Sequence, residues 1–426
     1  MQKRIISAIA ALTLAAAGAM TVAPADAGPA DRAAAKKKAT QFAFQGSGFG
    51  TRVAGGQVPA GSDTTAWHVI GCSNKAGLTR RNFVAEEQLV PGAARAEEIT
   101  TRLTTRQRGG VTSSTSTSDV ARVVLKESGL GRLQINAISS VSKAFHDKGG
   151  FGALTETSVG RISFVPTGQD PQNFPVPTPG QPVEIPGVAR IAIGDMSKGK
   201  NADMARAQAD GLTIRLLPSN TQVRIAHTDA RIEKGVTTGL MSGSSMGARS
   251  SLLGGVAQVG RTPLSVMPCA GTDGEERIKS IAHVPLAEGI DLRNLTSRQL
   301  GVQTKRKARG FEFGRVGVAE FDQADLLIRN VTGQVNVSRV IGKGLKRNIN
   351  GTEVGKIMFQ GQEQSFDPGQ DTIEIPGVAV ITKNIVERSR QGIHVIALQV
   401  KLLDGTDVES VVNLGEANLR IKKAAR

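Results

Sequence analysis

Val183-Glu184-Ile185-Pro186-Gly187-Val188-Ala189 returns as Ile373-Glu374-Ile375-Pro376-Gly377-Val378-Ala379, and this echo decides how the chain is read. Further out, Val159-Gly160-Arg161-Ile162-Ser163-Phe164 returns as Val354-Gly355-Lys356-Ile357-Met358-Phe359. Gly50-Thr51-Arg52 returns as Gly247-Ala248-Arg249, and Cys72 as Cys269. These two pairs share one offset (247 − 50 = 197 and 269 − 72 = 197), so no gap separates them. Repeats of roughly 20–50 residues would mean a solenoid or propeller. A spacing near 190 (373 − 183 = 190) is a duplicated domain, close to the usual size of about 100–200 residues. Copy one is expected over residues 44–236 and copy two over 237–426.

Within each copy the apolar residues alternate. Leu212, Ile214 and Leu216 share one face, as do Leu398, Val400 and Leu402; Leu133, Ile135 and Ala137 alternate likewise, and so do Val335 and Val337. Period two over short runs indicates half-buried strands. Leu403-Asp404-Gly405-Thr406 reads as a hairpin turn, with Leu217-Pro218-Ser219-Asn220-Thr221 at the same place in copy one. The Ile-Pro-Gly-Val element is expected to start a strand, and the Pro-rich stretch from Pro166 to Pro182 to cross over in extended form. Helical signal is minor: Asn201 to Asp210 is Ala-rich, but Arg206-Ala207-Gln208-Ala209 alternates and reads as strand. The fold expected is all-β, a tandem duplication of a β-sandwich or barrel-like domain, with Gly-rich turns. About 190 residues per copy suffice to bury a core in each.

Lys3 and Arg4 precede an apolar stretch from Ile5 to Met20, and Ala25-Asp26-Ala27 supplies a small-x-small cleavage site. That order reads as a secretory signal peptide over residues 1–27. The apolar run falls short of the roughly 20 residues a membrane span needs, so no transmembrane segment is expected in the mature chain. Residues 28–43, with Lys36-Lys37-Lys38, read as a flexible basic leader, and Leu419 to Arg426 offer no hydrophobic tail. Cleavage removes Lys3, Arg4 and Asp26, lowering the net charge from +16 to +15. Such an excess attracts polyanions. With one Trp, no Tyr and 3% aromatics, stacking on nucleic-acid bases is disfavoured, as secretion also implies, and so is a sugar-stacking lectin.

Two cysteines at equivalent positions of a secreted chain invite a bridge between copies. The alternative is one small buried thiol per core. Gly243-Ser244-Ser245-Met246-Gly247 matches the G-x-S-x-G hydrolase elbow, but the elbow needs a strand before it and a helix after it, and Arg249-Ser250-Ser251 with Gly254-Gly255 make a poor helix. Copy one has Gly48 where Ser245 stands, so a strand-leading turn explains both segments. His68, His146, His227, His283 and His394 lack metal-ligand spacing, and Gly342-Lys343-Gly344 lacks the rest of a phosphate loop. No catalytic residue, metal or cofactor is assigned. Lys305-Arg306-Lys307-Ala308-Arg309 is the densest positive run; by the 197 offset Lys305 maps to Arg108, at the end of Arg102, Arg106 and Arg108. Both copies are thus expected to expose a basic loop, either merely solvated or gripping anionic polymer.

Gln45-Gly46-Ser47-Gly48-Phe49-Gly50-Thr51-Arg52, Ile70-Gly71-Cys72 and the Ile-Pro-Gly-Val-Ala elements together resemble the choice-of-anchor P family, over nearly the whole mature chain. The resemblance implies a secreted or surface protein of Gram-positive bacteria; it lends no activity and no catalytic residues. The resulting expectation is a non-enzymatic structural or adhesive protein, extracellular or at the cell envelope, holding anionic envelope polymer. The alternative from another class is a secreted serine hydrolase using Ser245, with a histidine brought near by folding.

Overall fold

A computed structural model describes residues 37–54, 64–90, 94–127, 131–217, 220–252, 257–287, 289–403 and 410–425. Four antiparallel sheets are built, two from each copy. The first joins β1 (Lys38–Ala54), β2 (His68–Ala76), β9 (Val183–Ile185), β10 (Ala189–Ile193), β11 (Met196–Lys200), β12 (Met204–Leu216) and β13 (Gln222–Lys234). The second runs in order through β3 (Thr79–Val90), β4 (Ala94–Arg108), β5 (Val111–Glu127), β6 (Gly131–Asp147), β7 (Gly150–Pro166) and β8 (Gln172–Phe174). Copy two repeats the first sheet as a third: β14 (Gly239–Leu252), β15 (Ala257–Thr262), β16 (Ser265–Val266), β25 (Thr372–Ile375), β26 (Ala379–Ser389), β27 (Gly392–Leu402) and β28 (Ser410–Lys423). The fourth holds β17 (Arg277–Ala287), β18 (Ile290–Gln303), β19 (Lys307–Phe321), β20 (Leu326–Val340) and the short β21 (Gly344–Asn348), β22 (Glu353–Val354), β23 (Ile357–Phe359) and β24 (Gln362–Gln364). Among the described residues the only helical piece is one 3₁₀ turn, Asp322–Ala324. The fold is all-β and duplicated in tandem.

The registers repeat with the sequence. Ser47 pairs with Val69 and Gly48 with His68; 197 residues on, Ser244 pairs with Val266 and Ser245 with Ser265. Each copy packs its two sheets face to face over a larger and a smaller apolar cluster. In the larger, Val53, Leu212 and Ile225 meet Ile99, Val123 and Ile135 in copy one, and Leu398, Val400 and Leu414 meet Leu295, Val316 and Val331 in copy two. No ladder joins the two facing sheets among the described residues, so each copy is an open sandwich rather than a barrel.

Strands of up to 17 residues cannot stay flat, and both copies bend them at matched places. Ala137 (φ 52°) sits opposite Gly160, and Ala226 (φ 54°) opposite Gly50 and Gly211; Asn330 (φ 57°) and Gly415 (φ 64°) repeat this against Gly355 and Gly247. A side chain on Gly160 would come within 3.0 Å of the Ala137 Cβ. The kinks reverse the alternation, which is why Ala137 is exposed while Ile138 beyond it is buried, against the period-two expectation.

Three further local readings differ. Ile-Pro-Gly-Val does not start a strand but makes the turn between two: Val188 N–H reaches Ile185 O (2.9 Å) and Val378 N–H reaches Ile375 O (3.0 Å), with Gly187 at φ 70° and Gly377 at φ 72°. Proline presets the first turn residue and glycine supplies the positive φ of the second. β1 begins at Lys38, inside the stretch read as leader, because Phe42 and Phe44 pack into a core with Ile232. Gly243-Ser244-Ser245-Met246-Gly247 lies in the middle of β14 and is not a turn. The Pro-rich stretch does cross between sheets, from β8 to β9. The predicted hairpin turns fall partly on residues 218–219 and 404–409, outside the described residues; the strands flanking them pair, Arg215 with Gln222 and Leu402 with Ser410.

Candidate functional site

The seam between copies organises everything near it. Cys72 and Cys269 form a disulfide, their Cα atoms 5.5 Å apart. Ala43, Val236, Leu240, Ala270 and Ala424 pack around it. The side chain of Asn74 acts like a strand edge toward the other copy: its Nδ2 donates to Ala425 O (2.9 Å) and its Oδ1 accepts from Ala425 N–H (2.9 Å). Glu233 Oε2, also buried, accepts from Ala270 N–H at 3.0 Å.

Both basic hairpins spring from this end. In copy one the segment after Cys72 is fastened to β4: Gly77 N–H donates to Thr105 O (2.7 Å), and Thr105 Oγ1 donates to Lys75 O (2.7 Å). Three residues on, Arg108 and the turn Gly109-Gly110 are exposed. In copy two Gln303 does the fastening. Its Oε1 accepts from the backbone N–H of Thr237, Thr238 and Gly239, and its Nε2 donates to Ala270 O at 2.8 Å. The exposed turn Thr304-Lys305-Arg306 follows at once. Kinks at Glu98 and Asn294 reset the offset here to 294 − 98 = 196, so Lys305 stands against Gly109 rather than Arg108, on the same hairpin.

The predicted basic residues divide into two groups. Lys305 and Arg306 occupy the turn, with Arg108, Lys307 and Arg309 on the adjoining strand ends; Arg102 and Arg106 lie further back, on the face of β4. None of the seven has an acidic partner among the described residues, whereas Arg95 and Arg122 share Glu97 (3.2 Å each), and Arg206 pairs with Asp229. Sequence reading placed Lys37 in a flexible leader and singled out neither Lys75 nor Lys423; the three come together from distant stretches to line a cavity of about 490 Å³ beside Ala425, at the seam.

Ser245 is fully buried, with its hydroxyl donating to Glu312 Oε2 (2.7 Å) and lying 3.3 Å from Arg298 O. An elbow exposes its nucleophile on a strand-to-helix turn. Here β14 runs straight through, and glycine serves close packing: a Cβ on Gly243 would lie 2.3 Å from Asn418 O. Three of the five histidines, His227, His283 and His394, pair with carboxylates on the sheets. His227 Nδ1 lies 2.6 Å from Asp210 Oδ1, stacks on Phe49 at 4.5 Å, and shares Asp210 with Arg224. Burial pushes the Asp210 carboxyl up, but His227 and Arg224 outweigh it and hold it below the ordinary carboxylate value. The hydrogen bond to Glu416 raises His394 above its usual value, against burial. His283 reaches Asp291, and His146 packs on Phe42 and Phe151. No group of three metal-binding side chains gathers among the described residues, and none of their helices could cross a membrane.

Compared with known families and curated proteins, the chain matches no family model and no curated sequence.

Proposed function

We propose that this is a secreted, non-enzymatic protein, extracellular or at the cell envelope, that holds anionic polymer through its basic hairpins, in keeping with its resemblance to choice-of-anchor P proteins. One observation carries the reading. Two cation-bearing hairpins, without acidic partners among the described residues, are rooted at the same disulfide-bonded end of the molecule. Cations left unpaired by the protein keep their charge for a ligand, and Arg adds a fork matched to phosphate or carboxylate. The disulfide suits an oxidising compartment. Two sites at one end let a single polymer engage both, which tightens binding beyond either alone.

The test is retention on purified anionic cell-wall polymer over a salt gradient. The intact protein should elute later than either a Lys305, Arg306, Lys307 and Arg309 to Ala variant or an Arg102, Arg106 and Arg108 to Ala variant. The gap should close as screening shortens to roughly 8 Å at physiological ionic strength. Equal elution of all three proteins at low salt rejects the reading.

A further inference from the structure

The outer face of the second sheet carries a second arrangement, which no basic run in the sequence announces. Register sets two neighbouring rows across the strands. One reads Thr104, Thr115, Lys143 and Leu154; the next reads Arg106, Ser113, Phe145 and Gly152. With Arg102 and Thr117, five of these positions (Thr104, Thr115, Lys143, Arg106 and Ser113) line a cavity of about 320 Å³ that holds three cations, four hydroxyls and no carboxylate. Phe145 lies flat because its neighbour is Gly152, where a Cβ would meet the ring at 2.2 Å. On the far side of that ring a second cavity of about 370 Å³ is lined by Lys198 and Lys200 of β11, again without a carboxylate. The Lys143 ammonium, on the wall of the first cavity, sits 5.6 Å from the centre of the Phe145 ring, on the wall of the second. Lys198 and Lys200 have no acidic partner among the described residues.

We infer that this track, Arg102/Arg106/Lys143, then Phe145, then Lys198/Lys200, is a binding site for an anionic sugar chain, one pyranose ring lying on Phe145 with its acidic groups held on either side. The inference rests on the reading of the protein as a binder of anionic polymer, and it names the polymer class and the place. Charge alone would accept any polyanion. A half-buried ring flanked by hydroxyls and cations is matched to a chain whose units have both an apolar face and a carboxylate or sulfate.

The duplication supplies its own control. By the kink offsets (294 − 98 = 196 on β4 and β5, 330 − 137 = 193 on β6), Thr104 corresponds to Leu300, Thr115 to Phe311, Thr117 to Phe313, Lys143 to Asn336 and Phe145 to Ser338. Arg102 corresponds to Arg298, which is tied to Glu276 and lies over Phe313. The positions of Arg106 and Lys143 are thus Val302 and Asn336 in copy two, and Ser338 replaces the ring; one free cation, Arg309, stands where copy one has Ser113, so the ring with cations on both sides belongs to copy one alone.

Binding of the full-length protein to an oligogalacturonate, to polyphosphate and to neutral dextran tests this by titration calorimetry. Oligogalacturonate should bind and dextran should not. Lys143, Lys198 and Lys200 changed together to Ala should weaken oligogalacturonate by about tenfold or more, roughly 1.4 kcal/mol per factor of ten. Phe145→Leu, which keeps apolar bulk but loses the flat ring, should weaken oligogalacturonate severalfold and leave polyphosphate unchanged. Phe313→Leu with Asn336→Ala should change neither. If Phe145→Leu leaves oligogalacturonate untouched, or weakens polyphosphate equally, or if the copy-two pair costs as much, the track is not a sugar site. A Lys305, Arg306, Lys307 and Arg309 to Ala protein is measured beside them. Loss of wall-polymer retention there, with the track variants silent, rejects the track and keeps the hairpins; the reverse keeps the track and rejects the hairpins.

Discussion

Ser116 and Glu312 occupy one position in the two copies (312 − 116 = 196), and their surroundings have been rebuilt around that difference. Ser116 donates to Asp229 O at 2.6 Å across the gap between sheets, facing Gly46. Glu312 is longer and charged; it is met by Ser245, which stands where copy one keeps Gly48. The match is incomplete, because Glu312 Oε1 is buried with no hydrogen-bond partner. Burial therefore pushes the carboxyl well above its ordinary value, and the Ser245 bond offsets only part of it. An unfolded glutamate loses its proton near pH 4.3, while the folded one keeps it to a higher pH. Folding is unaffected by this group below about pH 4.3 and loses stability as pH rises from there to the raised folded value. Glu312→Gln stays neutral throughout. Its melting temperature should match the wild type near pH 4 and exceed it by a growing margin as pH rises above that. Parallel melting curves across that range would show that Glu312 ionises freely in the folded protein. The sequence shows Ser245 only as part of an elbow pattern; the partner that explains it is 67 residues away.

Between sheets, the two copies solve the same packing problem with different elements. In copy one Ser118 Oγ donates to Phe49 O (2.9 Å) and Ser140 Oγ to Ala226 O (2.5 Å). In copy two the same places hold Gly314 and Gly333, whose added Cβ atoms would lie 2.0 Å from Met246 O and 1.8 Å from Gly415 O. Hydroxyl-to-carbonyl bridges have become direct backbone contact. Gly333→Ala must therefore force β20 away from β28, and overpacking of this kind costs about 1–3 kcal/mol, with rigid backbone on the other side placing it at the upper end. Gly71→Ala is the comparison: nothing lies within 4 Å of its Cβ, and the change should fall within about 0.5 kcal/mol of neutral. Urea midpoints measure both; a Gly333→Ala midpoint no lower than that of Gly71→Ala refutes the close contact. These elements also show how far pattern reading reaches. Leu212, Ile214, Leu398 and Val400 alternate because their strands are straight there, and all four are buried as read. Alternation failed at Ala137, where a positive φ opposite Gly160 inserts a step that no periodicity contains. Arg102 and Arg106 were visible as charges, but their neighbours Lys143 and Phe145 become so only through strand register.

Across the whole molecule, the seam is close to self-complementary. Ala43 corresponds to Leu240 and Cys72 to Cys269 (offset 197), and all four enter one cluster, as paired residues do about a twofold axis. The equivalence of the cysteines was legible in the sequence, but Asn74 was not, because its counterpart is Gly271 and its bond to Ala425 has no mirror image. Two supports of different kinds thus hold one interface. Removing the bridge across a separation of 197 residues costs at most about 5 kcal/mol in the chain-entropy model. The observed cost should be smaller, because the linker from Lys234 to Gly239 and the Glu233 contact already keep the copies together. Asn74→Ala strands the Ala425 N–H and C=O and should cost about 1–3 kcal/mol. Since both changes loosen the same seam, their effects should not add. With the disulfide gone, Ala425 can move to water, so Asn74→Ala should cost less in a Cys72→Ala/Cys269→Ala background than in the intact protein. Chemical denaturation of wild type, Asn74→Ala, the double-cysteine variant and the triple variant closes the cycle. An Asn74 cost that is the same in both backgrounds means the two supports act independently and the seam is not one cooperative unit.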